Sequence, residues 1–354
     1  MAVPSLDWNH IFRLAREQGA GTQTNFTKTT HRSSYPAIDP TRPELSQKGR
    51  TVLITGGGTG IGFGIASSFI QAGAGTVIIA GRREQVLIDA KKQLDQEAQR
   101  AGKEPRVIAQ VLDVTDKAAV AALWLDLKDK GIEVDVLVLN AAKFSPLQTI
   151  FELGSDEVWS MFEANVHGPL MLAEAFAKQG GDKPKVRRSS EQGPFDKHTC
   201  VDCIADIDLL AQFIVNVASQ AIHLFDKSKN IIADHVPAYG LTKNAGALTL
   251  QQIANRSDPE KLQIINLHPG VIYNDAWKQG GISETVLPFD DVSLAGSSAV
   301  WLASTEARFL HGRFIWSSWD VDELKSGEIR KKIDEDVEFL KIGVNGLSGC
   351  DRAW

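Results

Sequence analysis

The run Thr51-Val-Leu-Ile-Thr-Gly-Gly-Gly-Thr-Gly-Ile-Gly62 limits what this chain can fold into more than any other stretch. Val52, Leu53 and Ile54 form the short apolar, partly β-branched run of a strand buried on both faces. Glycines follow at positions 56, 57, 58, 60 and 62, and then Ile61, Ile65, Phe69 and Ile70 recur at helical spacing up to Ala72-Gly73. Strand, glycine turn and helix in that order suit a pyrophosphate. Glycine backbone can approach the anion closely, and the helix N-terminus offers N–H groups that no carbonyl has taken. From Thr51 onward strand-like and helix-like segments alternate, which predicts an α/β fold with a parallel sheet and helices on both faces.

At 354 residues the chain can hold one large α/β domain or two small ones, and 43% apolar content is ample for a core. A net charge of −6 gives no reason to expect nucleic acid or an anionic membrane as partner. The first residues lack a basic region followed by an apolar run, and no stretch approaches the length of a membrane span. Three cysteines are too few for a disulfide framework, and Asp-Arg-Ala-Trp at the C-terminus is not a peroxisomal address. A soluble cytoplasmic protein is the expectation.

Thr55, Gly56, Gly60 and Gly62 spell Thr-Gly-x-x-x-Gly-x-Gly, which resembles the cofactor loop of the short-chain dehydrogenase/reductase family, and that family's later motifs follow in order. The resemblance implies a Rossmann-type doubly wound parallel sheet of about seven strands, in a single domain over residues 51–320 with terminal extensions. Gly58, Thr59 and Ile61 complete the loop. The leader, residues 1–50, resembles the N-terminal extension of fungal members. It reads as a short helix around Ile11–Glu17 followed by an extended segment laid over a surface, punctuated by Pro36, Pro40 and Pro43. Residues 321–354 read as a charged helical extension that wraps the domain or a neighbouring subunit.

The second strand, Thr76–Ala80, ends in Gly81-Arg82-Arg83. Folds of this kind that use NAD place an acid there for the ribose hydroxyls, whereas a small residue and two guanidinium groups suit the 2′-phosphate of NADP(H). Asp113-Val114 closes the third strand (Val107–Leu112). The resemblance gives Asp113 to the adenine amino group and Val114 to the ring, while a helix cap is the plainer use of such an Asp. Asn140 and Ala141 end the fourth strand, Val134–Leu139, and supply small residues near the cofactor ribose, although Ala142 replaces the family's usual glycine.

The catalytic assignments rest on the same resemblance. Asn165, in a helix over Ser155–Lys178, would kink that helix and hold a water of the proton relay. Ser219 stands at the end of the fifth strand, Phe213–Ala218. Tyr239 and Lys243 form Tyr-x-x-x-Lys, a spacing that puts both side chains on one helix face. An ammonium beside a phenol favours the phenolate and would lower its pKa from ~10. Pro269, Gly270, Ile272 and Asn274 follow the sixth strand (Leu262–Leu267) and would bond the nicotinamide carboxamide, whereas His268 reads as a satisfied core residue. Arg313–Trp316 reads as the seventh strand. A segment over about 275–300 with a Gly280-Gly281 hinge would cap the substrate. Phe144, Trp159, Tyr273 and Trp277 suggest that the substrate is bulky and apolar or aromatic.

Residues 186–212 interrupt the family pattern and read either as a translated intron or as a surface loop. They contain His198, Cys200 and Cys203, which without a second ligand pair do not make a metal site. The loop between Ser219 and Tyr239 is longer than the family's and would shape the substrate entrance. The expected activity is reduction of a ketone, or oxidation of the alcohol, with NADP(H), on a small molecule of fungal secondary metabolism. A homo-oligomer, dimer or tetramer, is expected. The rival readings are a non-redox reaction in the same site (dehydration, isomerisation or cyclisation) and an NADP-binding scaffold or sensor.

Overall fold

The structure, a computed structural model, describes residues 27–145, 148–179, 212–223, 236–274, 277–278 and 281–343. The helix expected at Ile11–Glu17, the insertion up to residue 211 with His198, Cys200 and Cys203, Gly280, and most of the long loop before Tyr239 lie outside the described residues.

Seven strands form one sheet: β1 (Thr51–Thr55), β2 (Thr76–Gly81), β3 (Arg106–Val111), β4 (Val136–Leu139), β5 (Gln212–Val217), β6 (Leu262–His268) and β7 (Phe314–Trp316). Their order is β3-β2-β1-β4-β5-β6-β7, with every neighbouring pair parallel. This is the doubly wound Rossmann-type sheet, and its order reverses between β1 and β4. A crevice opens there beyond the C-terminal strand ends, where ligands bind in such sheets.

The strands sit within two residues of the positions read from sequence, and two of the offsets have visible causes. β4 begins only at Val136, because the side chain of Gln179 holds both the N–H and the carbonyl of Val134 in place of a neighbouring strand. β5 begins at Gln212, whose N–H reaches Lys261 and whose side chain reaches the Phe176 carbonyl.

The main helices are α1 (Gly60–Gln71), α2 (Glu84–Arg100), α3 (Lys117–Asp129), α4 (Ile150–Leu153), α5 (Ser155–Phe162), α6 (Gly168–Lys178), α7 (Pro237–Ala254), α8 (Val292–Leu302), α9 (Val321–Lys325) and α10 (Gly327–Glu335). Alternate strand residues separate two cores. Val52, Ile54, Val77, Ile79, Val138 and Val215 pack with α1, α2 and α8. Leu53, Ile78, Leu137, Ile214 and Ile264 pack with α3, α6 and α7. The near-continuous apolar strands therefore feed both faces, as a covered parallel sheet requires.

The helix read over Ser155–Lys178 is not continuous. A π-helical turn, Glu163–His167, sits between α5 and α6 and carries Asn165 at its middle. The charged C-terminal piece is also broken, into α9 and α10, at Ser326, whose backbone is extended. The described leader crosses the surface over α8 and the β7 edge, but not as a wholly extended segment. One-turn 3₁₀ helices at Pro36–Ile38 and Pro43–Leu45 turn Ile38 and Leu45 into the core. No helix among the described residues is long and apolar enough to cross a membrane.

Candidate functional site

A cavity of about 1160 Å³ runs along the C-terminal strand ends, from the glycine turn after β1 to the aromatic residues beyond β6. All of the residues assigned from the sequence to catalysis or to the cofactor line it except Thr55, Gly62 and Asn165. Those three build the cavity from behind.

The Thr55 hydroxyl donates to the Val138 carbonyl at 3.3 Å and accepts from the N–H groups of Asn140 and Ala141, both at 3.0 Å. Asn140 returns its Nδ2 to the carbonyls of Thr55 (2.9 Å) and Gly56 (3.2 Å). The ends of β1 and β4 are thereby locked together at the switch point. Gly62 lets α1 start directly beneath this turn: a Cβ there would stand 2.2 Å from the Gly56 carbonyl oxygen. Gly56 itself has φ +65°. The result is a cradle of bare backbone at the N-terminus of α1, which suits the phosphates of a dinucleotide.

At the outer end of the cradle Arg82 and Arg83 are exposed and line the cavity. Asp113 is not the cap of the helix that follows it. Asp116 caps α3 by accepting from the N–H groups of Ala118 (2.8 Å) and Ala119 (3.1 Å). Asp113 instead turns its Oδ1 back onto the N–H and hydroxyl of Thr115, at 2.9 and 2.7 Å. Partial burial raises the Asp113 pKa, but these bonds and the nearby Arg82 charge outweigh it and hold the carboxyl below its usual range.

Asn165 is 3% exposed, and its carboxamide is committed to protein atoms. Its Oδ1 accepts from Lys143 N at 2.7 Å, and its Nδ2 donates to the Lys143 carbonyl and to the Thr242 hydroxyl, both at 2.9 Å. The carboxamide is thus a strut. It joins the loop after β4 to α7, the helix that carries Tyr239 and Lys243.

Ser219, Tyr239 and Lys243 meet at the middle of the cavity. Ser219 ends the β5 crossing in extended backbone, and its Oγ accepts from Ala221 N at 3.2 Å. Tyr239 is buried. The lowered phenol pKa expected from the sequence is not what this geometry produces: burial pushes it up to about 12, and a hydrogen bond with Ser219 opposes only part of the rise. The physical reason lies in Lys243, whose Nζ bonds the Val217 carbonyl at 2.5 Å and whose own pKa burial lowers to about 8. His268 is satisfied, as expected, and its Nδ1 accepts from Gln220 N at 3.3 Å. Its ring stands edge-on to Trp316 at 4.6 Å, and burial, with His223 nearby, lowers its pKa to about 3.

Phe144 packs on Tyr239 with ring centres 4.6 Å apart. Tyr273 and Trp277 both meet Phe289 edge-on, at 5.1 and 5.6 Å, and line the far end of the cavity. Trp159 does not join this wall. It is 65% exposed, outside the cavity, and tilted against Phe162 on its own helix. Sequence reading missed Lys143 and Ser145, which do line the cavity. Lys143 Nζ bonds Glu157 (2.9 Å) and Ser160 (2.6 Å), while the buried Ser145 hydroxyl has no hydrogen-bond partner among the described residues. The available signal was their place just past Asn140-Ala-Ala142, at the edge of the sheet where ligands bind.

Comparison with known proteins bears on the family and the fold. The family model for short chain dehydrogenases matches residues 50–185, the stretch from the glycine turn through the π-helical segment. A short chain dehydrogenase/reductase of Aspergillus novofumigatus is 29% identical over 322 residues, covering 90% of this chain and 96% of that protein. One of Claviceps purpurea is 28% identical, covering 91% and 98% respectively. Among solved structures, L-sorbose reductase from Gluconobacter frateurii, complexed with NADPH and L-sorbose, superposes with a TM-score of 0.59 at 20% identity, over 77% of this chain and 96% of that one. The ordered motifs, the sheet and these relatives support a member of the short-chain dehydrogenase/reductase family of oxidoreductases.

Proposed function

We propose that the protein is an NADP(H)-dependent oxidoreductase that interconverts a ketone and a secondary alcohol on a bulky, apolar small molecule of fungal secondary metabolism. The observation that carries this reading is the convergence of Ser219, Tyr239 and Lys243 on one cavity whose other end is the bare-backbone cradle. The residues present fit a nicotinamide dinucleotide. Gly56, Gly58 and Gly60, which line the cradle, would leave room for its pyrophosphate, and Asp113 and Val114 would take the adenine. Arg82 and Arg83 would pair with a 2′-phosphate, each presenting a planar fork of donors. The NADPH complex of the sorbose reductase is consistent with that choice. Pro269, Gly270, Ile272 and Asn274 would hold the carboxamide end. Bound there, the nicotinamide supplies or accepts a hydride.

The protein's own groups handle the oxygen and the proton. Ser219 would donate a hydrogen bond to the carbonyl oxygen and hold it beside Tyr239. Tyr239, neutral across the physiological range, would give its phenolic proton to the developing alkoxide and recover it in the reverse direction. Lys243 would bond the ribose hydroxyls and, once turned towards the phenol, favour the phenolate. Asn165 keeps α7 in register with the loop after β4. Phe144, Tyr273, Trp277 and Ile282 give that end an apolar wall that excludes water and favours a bulky substrate. A cytoplasmic homo-oligomer is the setting in which we place this activity.

NADPH consumption over a panel of aromatic and alicyclic ketones, with Tyr239→Phe beside the wild type, tests the reading. Turnover that Tyr239→Phe abolishes supports it. Tight NADPH binding with no consumption in either direction would overturn it in favour of a non-redox step in the same site.

A further inference from the structure

The leader is tied into the cavity wall rather than merely resting on the surface. His31 N bonds the Ser318 carbonyl at 2.9 Å, just after β7, and the Arg32 carbonyl accepts from Asp291 N at 2.7 Å, just before α8. Between these anchors the Arg32 guanidinium reaches the Pro288 carbonyl and lies 3.5 Å from the Asp290 carboxylate. Asp290 in turn is bolted to the loop after β6. Its Oδ2 accepts from Val271 N at 2.8 Å, and its own N–H donates to the Val271 carbonyl at 2.8 Å. The same carboxylate fills the space beside Gly270, where φ is +95° and a Cβ would fall 2.7 Å from Oδ2. Gly270 and Val271 both line the cavity.

We propose that Arg32 and Asp290 are positioning residues, through which the leader sets the loop Pro269–Asn274 and thereby the affinity of the site for its dinucleotide. The proposal rests on the reading of that loop as the carboxamide-binding one. Asp290 is mostly buried, and burial raises its pKa, opposed by the Val271 N–H and by Arg32. Arg32 is thus the cation that faces this carboxylate and offsets part of the cost of its charge while it accepts from Val271. Without it the carboxylate would be left charged and unpaired, or protonated and a weaker acceptor, and either state loosens the loop. Arg32 is 60% exposed, so its truncation should not threaten folding.

The test compares full-length Arg32→Ala, Arg32→Lys and Asp290→Asn with Arg42→Ala. The last breaks the leader's 2.9 Å ion pair with Glu306, far along the strap from Asp290. Two readouts are taken: hydrogen exchange at the Val271 amide in nucleotide-free protein, and NADPH affinity from quenching of tryptophan fluorescence. Arg32→Ala and Asp290→Asn should speed Val271 exchange and weaken NADPH binding by about tenfold, within the range of such indirect couplings. The KM for NADPH should rise more than kcat falls, and Arg32→Lys should recover part of both losses. Arg42→Ala should lower thermal stability and leave both readouts unchanged. Unchanged Val271 exchange in Arg32→Ala and Asp290→Asn, or equal effects from Arg42→Ala, would overturn the proposal. If the wild type binds no dinucleotide, the functional reading fails on its own, and the exchange data still decide whether Arg32 holds the loop.

Discussion

Replacing Asn165 with alanine separates a strut from a member of a proton relay. The substitution deletes three hydrogen bonds, two part-buried ones to the backbone of Lys143 and a buried one to Thr242. At a net ~1 kcal/mol each the loss comes to about 3 kcal/mol. Thr242 retains its bond to the Tyr239 carbonyl at 3.1 Å, so its hydroxyl is not stranded, whereas the Lys143 N–H and carbonyl are. Asn165→Asp is the sharper companion. It keeps an acceptor for Lys143 N but turns a second oxygen, with no proton to give, onto the Lys143 carbonyl, and it should cost at least as much. Urea unfolding followed by circular dichroism and by tryptophan fluorescence gives both values. A loss under about 1 kcal/mol for Asn165→Ala, together with a collapse in turnover, would refute the reasoning, because a side chain worth little to folding would then be acting on the reaction itself.

Further expectations concern charge and burial. Arg82→Ala with Arg83→Ala should raise the KM for NADPH by about tenfold or more and that for NADH by much less, since only the former carries the phosphate that a guanidinium fork would bond. His268 has a folded pKa of about 3 against an ordinary 6.5, so its contribution is intact above pH 6.5 and is lost as pH falls towards 3. Unfolding free energy should fall by up to about 1.4 kcal/mol per pH unit in that window, and His268→Gln should flatten the slope. Lys243→Met should abolish turnover while raising stability at neutral pH. The wild type, whose Lys243 folds with a pKa near 8 against 10.5, should gain stability as pH rises from 8 towards 10.5 and the variant should not. Ser145→Ala should leave the melting temperature unchanged or higher, because the hydroxyl it removes is buried and has no partner among the described residues.

The fold was legible in the sequence where the signal was local and continuous. Val52–Ile54 and Thr76–Ala80 are apolar runs that a doubly covered parallel strand demands, and the glycine turn between β1 and α1 admits few other readings. The cavity was legible for a related reason, since residues just past strand ends share one edge of the sheet. What the sequence could not display was the direction of individual side chains. Thr55 and Gly62 belong to the motif yet face the framework, because closing the β1–β4 junction and seating α1 use them up. Trp159 lies on α5 with its ring turned outward, a choice of face that one aromatic in a helix does not announce. The leader looked patternless because its bonds run to residues more than 250 positions away, among them Arg32 to Pro288 and Arg42 to Glu306. Such contacts leave no periodicity to find.

The protonation states around Tyr239 follow from the same competition between burial and pairing. Low dielectric penalises a phenolate and an ammonium alike, so burial pushes Tyr239 up to about 12 and Lys243 down to about 8. Lys243 meanwhile spends a hydrogen bond on the Val217 carbonyl. The resting arrangement therefore protects the phenol's proton, which is the state a proton donor must keep until a substrate oxygen arrives. In the proposed reaction the oxidising direction would need the phenol as a base, and that would require the ammonium to leave Val217 and face the tyrosine, or a further positive charge to enter the cavity. The pKa of Tyr239 is then set by what occupies the site rather than by Tyr-x-x-x-Lys alone. A titration of the phenol by ultraviolet difference absorbance should move to lower pH on addition of oxidised NADP, and reduced NADP should move it less. Equal shifts with the two forms would mean that the charge of the ligand plays no part, and that Lys243 acts on the phenol only by moving towards it.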